Sequence, residues 1–530
     1  MSRSLLRCLI LVASLGLLHG QSTNPVTSQI LGRPTDRSIV LNILAQDKID
    51  AQVEYGTNSG AYLQKTKTHL VTAGIPTEIE LATLNPDTRY YYRLLTRSQG
   101  KQDFVAGAEA TFHTQRPPGS TYSFALQGDS HPERVGKMFE PALYQQTMQN
   151  VAKENPDFYI TMGDDFSIEK LIDRHELSQT SVNEVYANQR TFLGTVGNSS
   201  PLFLVNGNHE QAALCNLDGT SNSCAVLAGK ARTSYYSLPA PDGFYTGDAG
   251  KVDNIGLLRD YYSWTWGDAL FVVVDFYWHS PVAVDNKAGA RGHDKGDKGG
   301  GHGKKWNKDE GVAAISPQSN VITSIDSLGD LVSPGEEKMG GGQKGGKDGK
   351  DRDFWAITLG DDQYRWLTKT LSESNARWKI VFCHHVLGTG RGGIERAPLY
   401  EWGGKDRDGS DLFAQKRPGW PLPIHQLMAK YGVTIFFQGH DHIFAHQTLD
   451  GIVYQSCPNP ADQTYRAFNS VAYRSGEILP NSGHLKVTVS PKQLNVDYIR
   501  SWMPADLASG HTNGEVASHY TIPATIAPKP

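Results

Sequence analysis

Residues 23–114 carry short apolar segments that alternate with polar positions and are separated by turn residues. A period of two is typical of β-strands with one buried face, and no helical pattern interrupts it. The predicted strands are Ser38–Ile43, Ala51–Tyr55, Thr77–Leu81, Tyr90–Leu95 and Ala110–His113. Because these strands are short and follow one another closely, we expect a small all-β sandwich.

The pattern changes after the proline-containing linker at residues 116–119. Lys137–Lys153 and Asp362–Ser374 repeat apolar residues at helical spacing, which predicts two amphipathic helices. Short apolar segments predicted as strands are Tyr122–Gln127, Phe158–Met162, Pro201–Val205, Leu270–Val274, Lys379–Cys383 and Thr434–Phe437. Strands alternating with helices predict an α/β domain with buried sheets. His484–Val489 and Gln493–Ile499 predict a closing hairpin.

Both ends and one internal segment fit neither pattern. Residues 1–20 combine Arg3 and Arg7 with a short apolar run, as secretory signal peptides do. Residues 285–353 are rich in Gly, Lys and Asp and offer little apolar surface to bury, so we expect a mobile insertion. The predicted parts are the signal peptide at 1–20, a β-sandwich at 21–115, an α/β domain at 120–505 that contains the insertion, and a tail at 506–530.

The signal peptide predicts a secreted, periplasmic or extracellular protein. Its apolar run is shorter than the ~20 residues that a membrane span needs, so we expect no stable membrane insertion. Cys215 and Cys224 flank a short polar loop, and an oxidising compartment would allow them to form a disulfide. Two free thiols are the alternative.

The chain length and the net charge further limit the domain organisation and the possible partners. A chain of 530 residues predicts more than one domain. The formal net charge is −4, whereas a nucleic-acid-binding domain is usually clearly basic, so we expect no nucleic-acid partner. The sequence leaves the oligomeric state open.

Predicted strands run directly into polar side chains of the kinds that bind metal ions. The segments that follow them are Gly128-Asp129-Ser130-His131, Gly163-Asp164-Asp165, Gly207-Asn208-His209-Glu210, His384-His385 and Gly439-His440-Asp441-His442. Ligand sites in α/β folds form at the carboxyl ends of strands, so these segments can converge. Carboxylate, imidazole and amide donors together suit Zn, Mn or Fe. Each motif by itself is unspecific, but the ordered set favours a metal site over purely structural roles.

The series GDSH, GDD, GNHE, CHH and GHDH resembles the calcineurin-like metallophosphoesterase superfamily. The LNPDTRYYYRL segment of the β-sandwich is similar to a corner of fibronectin type III-like domains. Together with DDQYRWLTKTL ahead of WKIVFCHH, this sandwich resembles the purple acid phosphatase-like branch in particular. The resemblance spans about residues 25–500 apart from the insertion. It implies an α/β fold, the four-layer αββα metallophosphoesterase sandwich, preceded by the small all-β domain.

Carried over to these positions, the resemblance implies two metal ions per chain, of Fe, Zn or Mn. The implied ligands are Asp129, His131 and His442 for one ion, Asn208, His384 and His440 for the other, and Asp164 as the bridge. His384 is preferred to His385 because the family's ligand is the first residue of this segment. A bridging carboxylate suits metal ions ~3.5–4 Å apart.

The resemblance also implies which residues meet the substrate. His209 would contact the phosphate and donate a proton to the leaving oxygen. Its orienting partner could be Asp165 or Glu210, of which Asp165 is the catalytic candidate. The substrate-binding candidates are Asn208, His209, His385 and Arg391. Arg391 and the nearby Arg396 could attract an anion or remain solvated loop charges.

Two positions depart from the purple branch. Those enzymes carry a tyrosine ligand three places after the second-motif aspartate, where this chain has Ser167. A purple tyrosinate–iron site is therefore not expected. His131 supplies a ligand that the purple enzymes typically lack and many other superfamily members have, so the metal identity stays open.

The function implied is hydrolysis of small phosphomonoesters through attack of a metal-bound hydroxide. A phosphodiesterase of the same superfamily is the alternative, because the same ligands can serve either ester. A non-catalytic binding protein on this scaffold is a further possibility, which the complete ligand set disfavours.

Overall fold

The computed structural model describes residues 25–210, 215, 217–281, 284, 353–386 and 390–524. The predicted signal peptide lies outside the described residues, and so does the predicted insertion apart from Asp353. Within the described ranges, no helix has both the length and the apolar character needed to cross a bilayer.

The strands in chain order are β1 (Val26–Gly32), β2 (Ile39–Ala45), β3 (Ile49–Gly56), β4 (Gln64–Lys65), β5 (His69–Val71), β6 (Thr77–Leu81), β7 (Arg89–Ser98), β8 (Val105–Ala106), β9 (Ala110–His113), β10 (Tyr122–Gln127), β11 (Tyr159–Thr161), β12 (Leu202–Leu204), β13 (Thr246–Gly247), β14 (Lys251–Val252), β15 (Gly256–Leu257), β16 (Tyr262–Trp266), β17 (Ala269–Val273), β18 (Trp378–Phe382), β19 (Ile435–Gln438), β20 (Phe444–Leu449), β21 (Ile452–Ser456), β22 (Glu477–Leu479), β23 (Gly483–Val489), β24 (Gln493–Arg500) and β25 (Val516–Pro523). The α-helices are α1 (Pro141–Glu154), α2 (Glu169–Asp173), α3 (Gln179–Gly197), α4 (Cys224–Tyr235), α5 (Gly360–Glu373), α6 (Tyr400–Gly403), α7 (Phe413–Lys416), α8 (Ile424–Lys430) and α9 (Pro504–Leu507).

The N-terminal strands form the predicted all-β sandwich. One sheet has the order β1-β2-β6, and the other has the order β4-β3-β7-β8 with β5 on β3 and β9 on β7. Apolar side chains from both sheets, including Leu41 and Val53, fill a shared core. The alternation read from the sequence therefore marks the buried face of each strand.

The α/β domain is built on two mixed sheets, in the orders β12-β11-β10-β23-β24-β25 and β13-β16-β17-β18-β19-β21-β20-β22. Aromatic side chains from both sheets meet between them, with the Phe124 and Phe271 ring centroids 5.3 Å apart. The outer face of the first sheet packs against α1, α3 and α4. The outer face of the second packs against α5 and α8. These layers confirm the expected αββα fold, including the hairpin of β23 and β24.

The sheet topology gathers strand ends at one edge of the domain. In the first sheet β10, β11 and β12 are parallel neighbours, and in the second β17, β18 and β19 are parallel neighbours. The metal-ligand motifs follow β10, β11, β12, β18 and β19, so all of them leave their sheets at carboxyl ends. This edge is the usual place for a site in an α/β fold.

The structure differs from the sequence analysis near the C-terminus. Part of the segment predicted as a tail, Val516–Pro523, forms β25 and pairs antiparallel with β24. Ser518, Tyr520 and Ile522 are half-buried and alternate with exposed residues, and Tyr520 and Ile522 pack against the core between the sheets. This alternation and the hydrogen-bonding edge of β24 together order the strand.

The structure joins Cys215 and Cys224 in a disulfide, with Cα atoms 6.2 Å apart. Cys224 is the first residue of α4, so the bridge fastens the start of this helix to the preceding loop. Cys383 and Cys457 are buried free thiols.

Arg190 on α3 links the β-sandwich to the α/β domain. Its buried guanidinium donates from Nε to Ser28 Oγ at 2.7 Å, from Nη1 to Asn42 Oδ1 at 2.9 Å and from Nη2 to the Asn42 carbonyl at 2.9 Å. It also donates to the carbonyl of Tyr235. Burial lowers the pKa of Arg190 to about 10. Hydrogen bonds from a single side chain thus connect the two domains.

We expect Arg190→Ala to lower the free energy of unfolding by about 3 kcal/mol, because buried acceptors lose a charged donor. Urea denaturation followed by circular dichroism measures this change. The control is Arg365→Ala, which removes an exposed arginine from α5 and should change stability by less than about 0.5 kcal/mol. Equal midpoints for Arg190→Ala and the wild type would contradict the assignment.

Candidate metal centre

The strand-end segments meet in one cluster of ligand groups, which are buried except for the half-buried His440. Its donor atoms fall into four overlapping sets, each with all members within 4.8 Å of one another, and two of these add His385 or His209 to predicted ligands. The two sets made of predicted ligands alone are Asp129, His131 and His442, and Asp129, Asp164, His384 and His440. Asn208 joins the second set, since its Oδ1 lies 3.0 Å from His384 Nε2 and 2.9 Å from His440 Nδ1. The structure therefore brings every predicted ligand together.

Each aspartate has one oxygen held by the backbone and one aimed at imidazoles. Asp129 Oδ1 accepts the N–H of His440 at 2.7 Å, and its Oδ2 lies 3.0 Å from His442 Nε2. Asp164 Oδ1 accepts the N–H of His209 at 2.9 Å. The backbone bonds fix the carboxylates before any ion is bound.

Asp164 Oδ2 occupies the position between the two sets. It lies 3.6 Å from His131 Nε2 and 3.3 Å from His384 Nε2. Burial alone would raise the pKa of Asp164, but His384 and His209 hold it well below its usual value. Asp164 Oδ2 therefore faces imidazoles from both sets, as a bridging ligand must. Asp129 Oδ2 does so at slightly longer distances, 3.7 Å from His131 Nε2 and 3.9 Å from His384 Nε2.

The tautomer of His384 tests whether a metal ion fits. Its Nδ1 lies 2.6 Å from the carbonyl oxygen of Met162, which can only accept, so Nδ1 carries the hydrogen. In a neutral ring Nε2 then presents a lone pair to Asn208 Oδ1 and Asp164 Oδ2, which are acceptors as well. Acceptors converging in this way need positive charge between them, from a proton on Nε2 or from a metal ion, and a ligating histidine usually donates its other N–H as His384 does.

Electrostatics agree with this conclusion. Burial alone would lower the pKa of His384, but Asp164 and Asp129 raise it to about 10. Their negative potential favours positive charge at the ring nitrogen, which a metal ion supplies. Burial and then Arg134 hold the pKa of His131 well below its usual value, so that ring is neutral and able to ligate.

Several ligand residues adopt left-handed backbone conformations that glycine would favour. Their φ angles are 52° at His131, 59° at Asp164, 64° at His440 and 53° at His442. Each costs roughly 1–2 kcal/mol, and such outliers cluster at functional sites. The neighbouring glycines permit close approach: a Cβ on Gly207 would lie 2.1 Å from Asp164 Oδ1. The loops therefore accept local strain to aim their side chains inward.

The structure also distinguishes the two adjacent histidines. His384 lies between the carboxylates, whereas the ring of His385 stacks on His440 at a centroid distance of 4.0 Å. His385 Nδ1 lies 2.9 Å from the hydroxyl of Tyr277, and His385 is buried. His385, predicted to bind substrate, therefore packs against the ring of His440, and a donor nitrogen of His385 lies within 4.8 Å of those of His384 and His440.

His209 lies beside Asp164 at the cluster. Its Nδ1 lies 2.7 Å from Glu169 Oε2, and its Nε2 lies 3.1 Å from Arg134 Nη2 and 4.0 Å from Asp164 Oδ2. Burial alone would lower the pKa of His209, but Asp164 and then Glu169 raise it above its usual value. His209 therefore has an orienting carboxylate on one side and faces the metal ligands with its other nitrogen.

That orienting carboxylate is neither of the two candidates from the sequence. Asp165 Oδ1 accepts from Gln127 Nε2 at 2.8 Å and from Ser130 Oγ, inside the protein. Glu210 accepts backbone N–H groups of Asp165, Phe166 and Gly207, which ties two ligand loops together. Burial and then Glu210 raise the pKa of Asp165 well above its usual value. The Asp165 side chain thus hydrogen-bonds to Gln127 and Ser130 and does not orient His209, and its catalytic role stays a prediction.

Arg391 and Arg396, which the sequence suggested as possible anion contacts, both form hydrogen bonds within the protein. Arg391 donates to the carbonyl of His440 and lies 3.3 Å from Asp441 Oδ1, so it braces the ligand loop. Arg396 in turn donates to the carbonyl of Arg391 at 2.8 Å. Ser167 is buried, and its Oγ has no hydrogen-bond partner among the described residues.

Sequence reasoning missed three residues beside His209 and His131. Glu169 and Arg134 contact His209, and Glu133 Oε1 lies 2.9 Å from His131 Nδ1. All three follow a ligand motif within a few positions, which is the only signal that could have singled them out. In the sequence they are indistinguishable from ordinary loop charges.

A family model described as calcineurin-like phosphoesterase matches residues 122–444. The chain has the fold of a structure of PhoD, with a TM-score of 0.57 and 15% identity over 95% of this chain and 91% of that one. A purple acid phosphatase, PPD1 from yellow lupin (Lupinus luteus) seeds, aligns with a TM-score of 0.51 and 15% identity over 93% of this chain and 74% of that one. No curated protein matches the sequence.

Likenesses at this level of identity show a shared fold and no more, but the family model covers more than half of the chain and includes every ligand group described above. The chain belongs to the calcineurin-like phosphoesterase family and is a metal-dependent hydrolase of phosphoric esters.

Proposed function

We propose that this enzyme is a phosphatase that hydrolyses small phosphomonoesters at a centre of two metal ions. The observation that carries the proposal is Asp164 Oδ2, which faces imidazoles of two overlapping ligand sets. When bound, the ions would polarise the phosphoryl group and activate the attacking water.

The donor chemistry limits which ions fit. Asp129, His131 and His442 would hold one ion, and Asn208, His384 and His440 would hold the other, with Asp164 shared. Imidazole nitrogens mixed with carboxylate and amide oxygens suit Zn, Mn or Fe. Because Ser167 offers no phenolate, we expect no purple colour.

His209 is the proposed proton donor to the leaving oxygen. Glu169 holds the hydrogen on Nδ1. Nε2 accepts from Arg134 Nη2 in this structure and would take up and deliver the second proton once Arg134 turns to the phosphoryl group of the substrate. The raised pKa of His209 keeps the ring protonated closer to neutral pH, which suits a general acid.

Arg134 favours a monoester over a diester. Its guanidinium lies 3.1 Å from His209 Nε2 and its side chain is 27% exposed, so it can reach an anion bound at the centre. A phosphomonoester carries one more negative charge than a diester at neutral pH. A cation in this position therefore stabilises the monoester more.

We expect Arg134→Ala to raise KM for an aryl phosphomonoester about tenfold, because one charged hydrogen bond is worth about 1.5–3 kcal/mol. The KM for a bis-aryl phosphodiester should rise less, since it carries less charge. Steady-state kinetics on both substrates measures the difference. Arg174→Ala, which removes an exposed arginine after α2, is the control and should change neither value. Equal losses on both esters would contradict the monoester assignment.

The experiment that tests the proposed function joins metal analysis with a substrate panel. Purified protein should contain close to two ions per chain and should hydrolyse aryl phosphomonoesters faster than bis-aryl phosphodiesters. A reversed preference would assign a phosphodiesterase, and bound metal without hydrolysis would assign a binding protein.

We also propose that the protein is exported after removal of residues 1–20, on the basis of the charged and apolar pattern at its N-terminus. Sequencing the N-terminus of the mature protein tests this. A mature chain that retains Met1 would refute it.

A further inference from the structure

We propose a separate binding site for a divalent transition-metal ion at Asp248, Asp260 and His279, outside the centre described above. One donor atom from each of these residues lies within 4.8 Å of the other two. The three residues come from loops next to β13, β16 and β17, so the site would fasten together segments that are distant in the sequence.

One side-chain contact and one backbone hydrogen bond hold this cluster in place. His279 Nε2 lies 2.7 Å from Asp260 Oδ2. The N–H of Asp248 donates to the carbonyl of Tyr261 at 3.1 Å, which sets Asp248 beside Asp260. Asp260 is completely buried, whereas the His279 side chain is 21% exposed. An ion can therefore enter from the His279 side and meet a fixed carboxylate at the bottom.

A second observation independently calls for a ligand. The Oδ1 atom of Asp260 is buried and no described N–H or O–H group donates to it, so only a bound cation or a proton shared with the Asp248 carboxyl can satisfy it. A buried acceptor without a partner costs roughly 1–3 kcal/mol, and more when it is charged. A cation beside Asp260 would remove this cost, and the neighbouring Asp248 carboxylate and His279 ring would complete its ligands.

The surrounding charge is negative. Asp275 adds a further carboxylate, but its own oxygens are satisfied by Asn206 Nδ2 at 2.7 Å and by the N–H groups of Tyr277 and Trp278. Asp275 therefore adds to the negative electrostatic potential at the cluster and is not counted as a ligand. Three carboxylates face one imidazole, so the cluster retains excess negative charge even when His279 is protonated.

Protons compete with a metal ion for the carboxylate of Asp248 and the ring nitrogen of His279. Burial and then Asp260 raise the pKa of Asp248 to about 6, and the pKa of His279 is raised to about 9 because Asp260, Asp275 and Asp248 outweigh burial. A metal ion that binds must displace the proton of His279 Nε2, which passes to solvent. The ion is then coordinated by the lone pair of that nitrogen. Two carboxylates and one imidazole suit Zn²⁺ or Mn²⁺ and leave positions for water.

The test titrates metal-free protein with Zn²⁺ or Mn²⁺ alone, by calorimetry and by metal analysis after gel filtration. His279→Gln and Asp248→Asn should each bind one ion fewer per chain than the wild type while keeping its hydrolysis rate. The control is His425→Gln, because His425 Nε2 also pairs with a carboxylate, Asp450 Oδ2 at 2.9 Å, but belongs to no such cluster among the described residues. It should bind as many ions as the wild type.

A second measurement separates this site from the catalytic centre and from folding defects. In an Asp164→Ala background, Mn²⁺ should still raise the thermal unfolding midpoint, and adding His279→Gln should make that rise clearly smaller. Equal stoichiometry in His279→Gln and the wild type, or an equal rise in both Asp164→Ala proteins, would overturn the proposal and leave His279 as an ion-pair partner of Asp260. Neither result depends on phosphoester hydrolysis, so the proposed function stands or falls separately.

Discussion

Asp164→Ala is expected to lower kcat for an aryl phosphomonoester by about 10⁴-fold, which corresponds to about 5.5 kcal/mol of transition-state stabilisation. The substitution removes the carboxylate oxygen nearest to both His131 Nε2, at 3.6 Å, and His384 Nε2, at 3.3 Å, whereas Asp129 Oδ2 lies 3.7 Å and 3.9 Å from the same nitrogens. Both ligand sets then lose a negative charge, so metal content should fall together with activity. Asp129 Oδ2 lies farther from both nitrogens and is 3.0 Å from His442 Nε2, so we expect it to compensate only in part.

The measurement pairs single-substrate kinetics with metal analysis on the same preparation. Asp157→Ala is the matched control: Asp157 is also a buried aspartate, but its partners are Arg116 and the indole of Trp266. We expect that variant to be less stable yet to retain its metal ions and its rate when folded. Undiminished hydrolysis by Asp164→Ala would remove the basis for a bridged two-metal centre.

His209→Gln is expected to lower kcat by about 10²–10³-fold while metal content stays unchanged, because general-acid catalysis contributes on that scale. His209 lies 4.0 Å from Asp164 Oδ2 and belongs to neither implied set of ligands. The loss should depend on the leaving group. An alkyl phosphate needs a proton on its departing oxygen, whereas a nitrophenyl phosphate has a good leaving group and needs it less.

Comparing both substrates with the wild type and His209→Gln tests this role. Glu169→Gln should reproduce the same leaving-group dependence with a smaller loss, because Glu169 acts through Nδ1 of His209 and does not donate the proton itself. A loss of equal size on both substrates would show that His209 binds the phosphoryl group without donating a proton.

Much of the fold could be predicted because the apolar positions that repeat with a strand or helix period are the positions that the structure buries. Tyr122–Gln127 and Thr77–Leu81 were predicted with the bounds that the structure shows. The helix Gln179–Gly197 was missed, since its sequence is largely polar and its buried side includes Gln189 and Arg190. These polar residues are buried because partners from other elements, such as Asn42 and Ser130, meet their hydrogen-bonding groups. No local pattern records those partners.

The metal ligands could be predicted for a related reason. Each follows a strand end, and the carboxyl ends of neighbouring parallel strands necessarily share an edge of the sheet. The partner of His209 could not be predicted in this way. Glu169 reaches Nδ1 only because the loop after β11 folds back over the centre, while Asp165, closer in sequence to the ligand Asp164, turns inward to Gln127.

The sequence by itself determined the two-domain pattern of strands and helices and the order of the ligand motifs, because both depend on local periodicity and on residues adjacent to strand ends. Only the tertiary structure decided how those motifs act. It places Asp164 Oδ2 between both ligand sets, puts His384 rather than His385 among the carboxylates, and orients His209 through Glu169. These outcomes depend on distances between residues far apart in the chain, which the packing of two sheets sets and no local pattern contains.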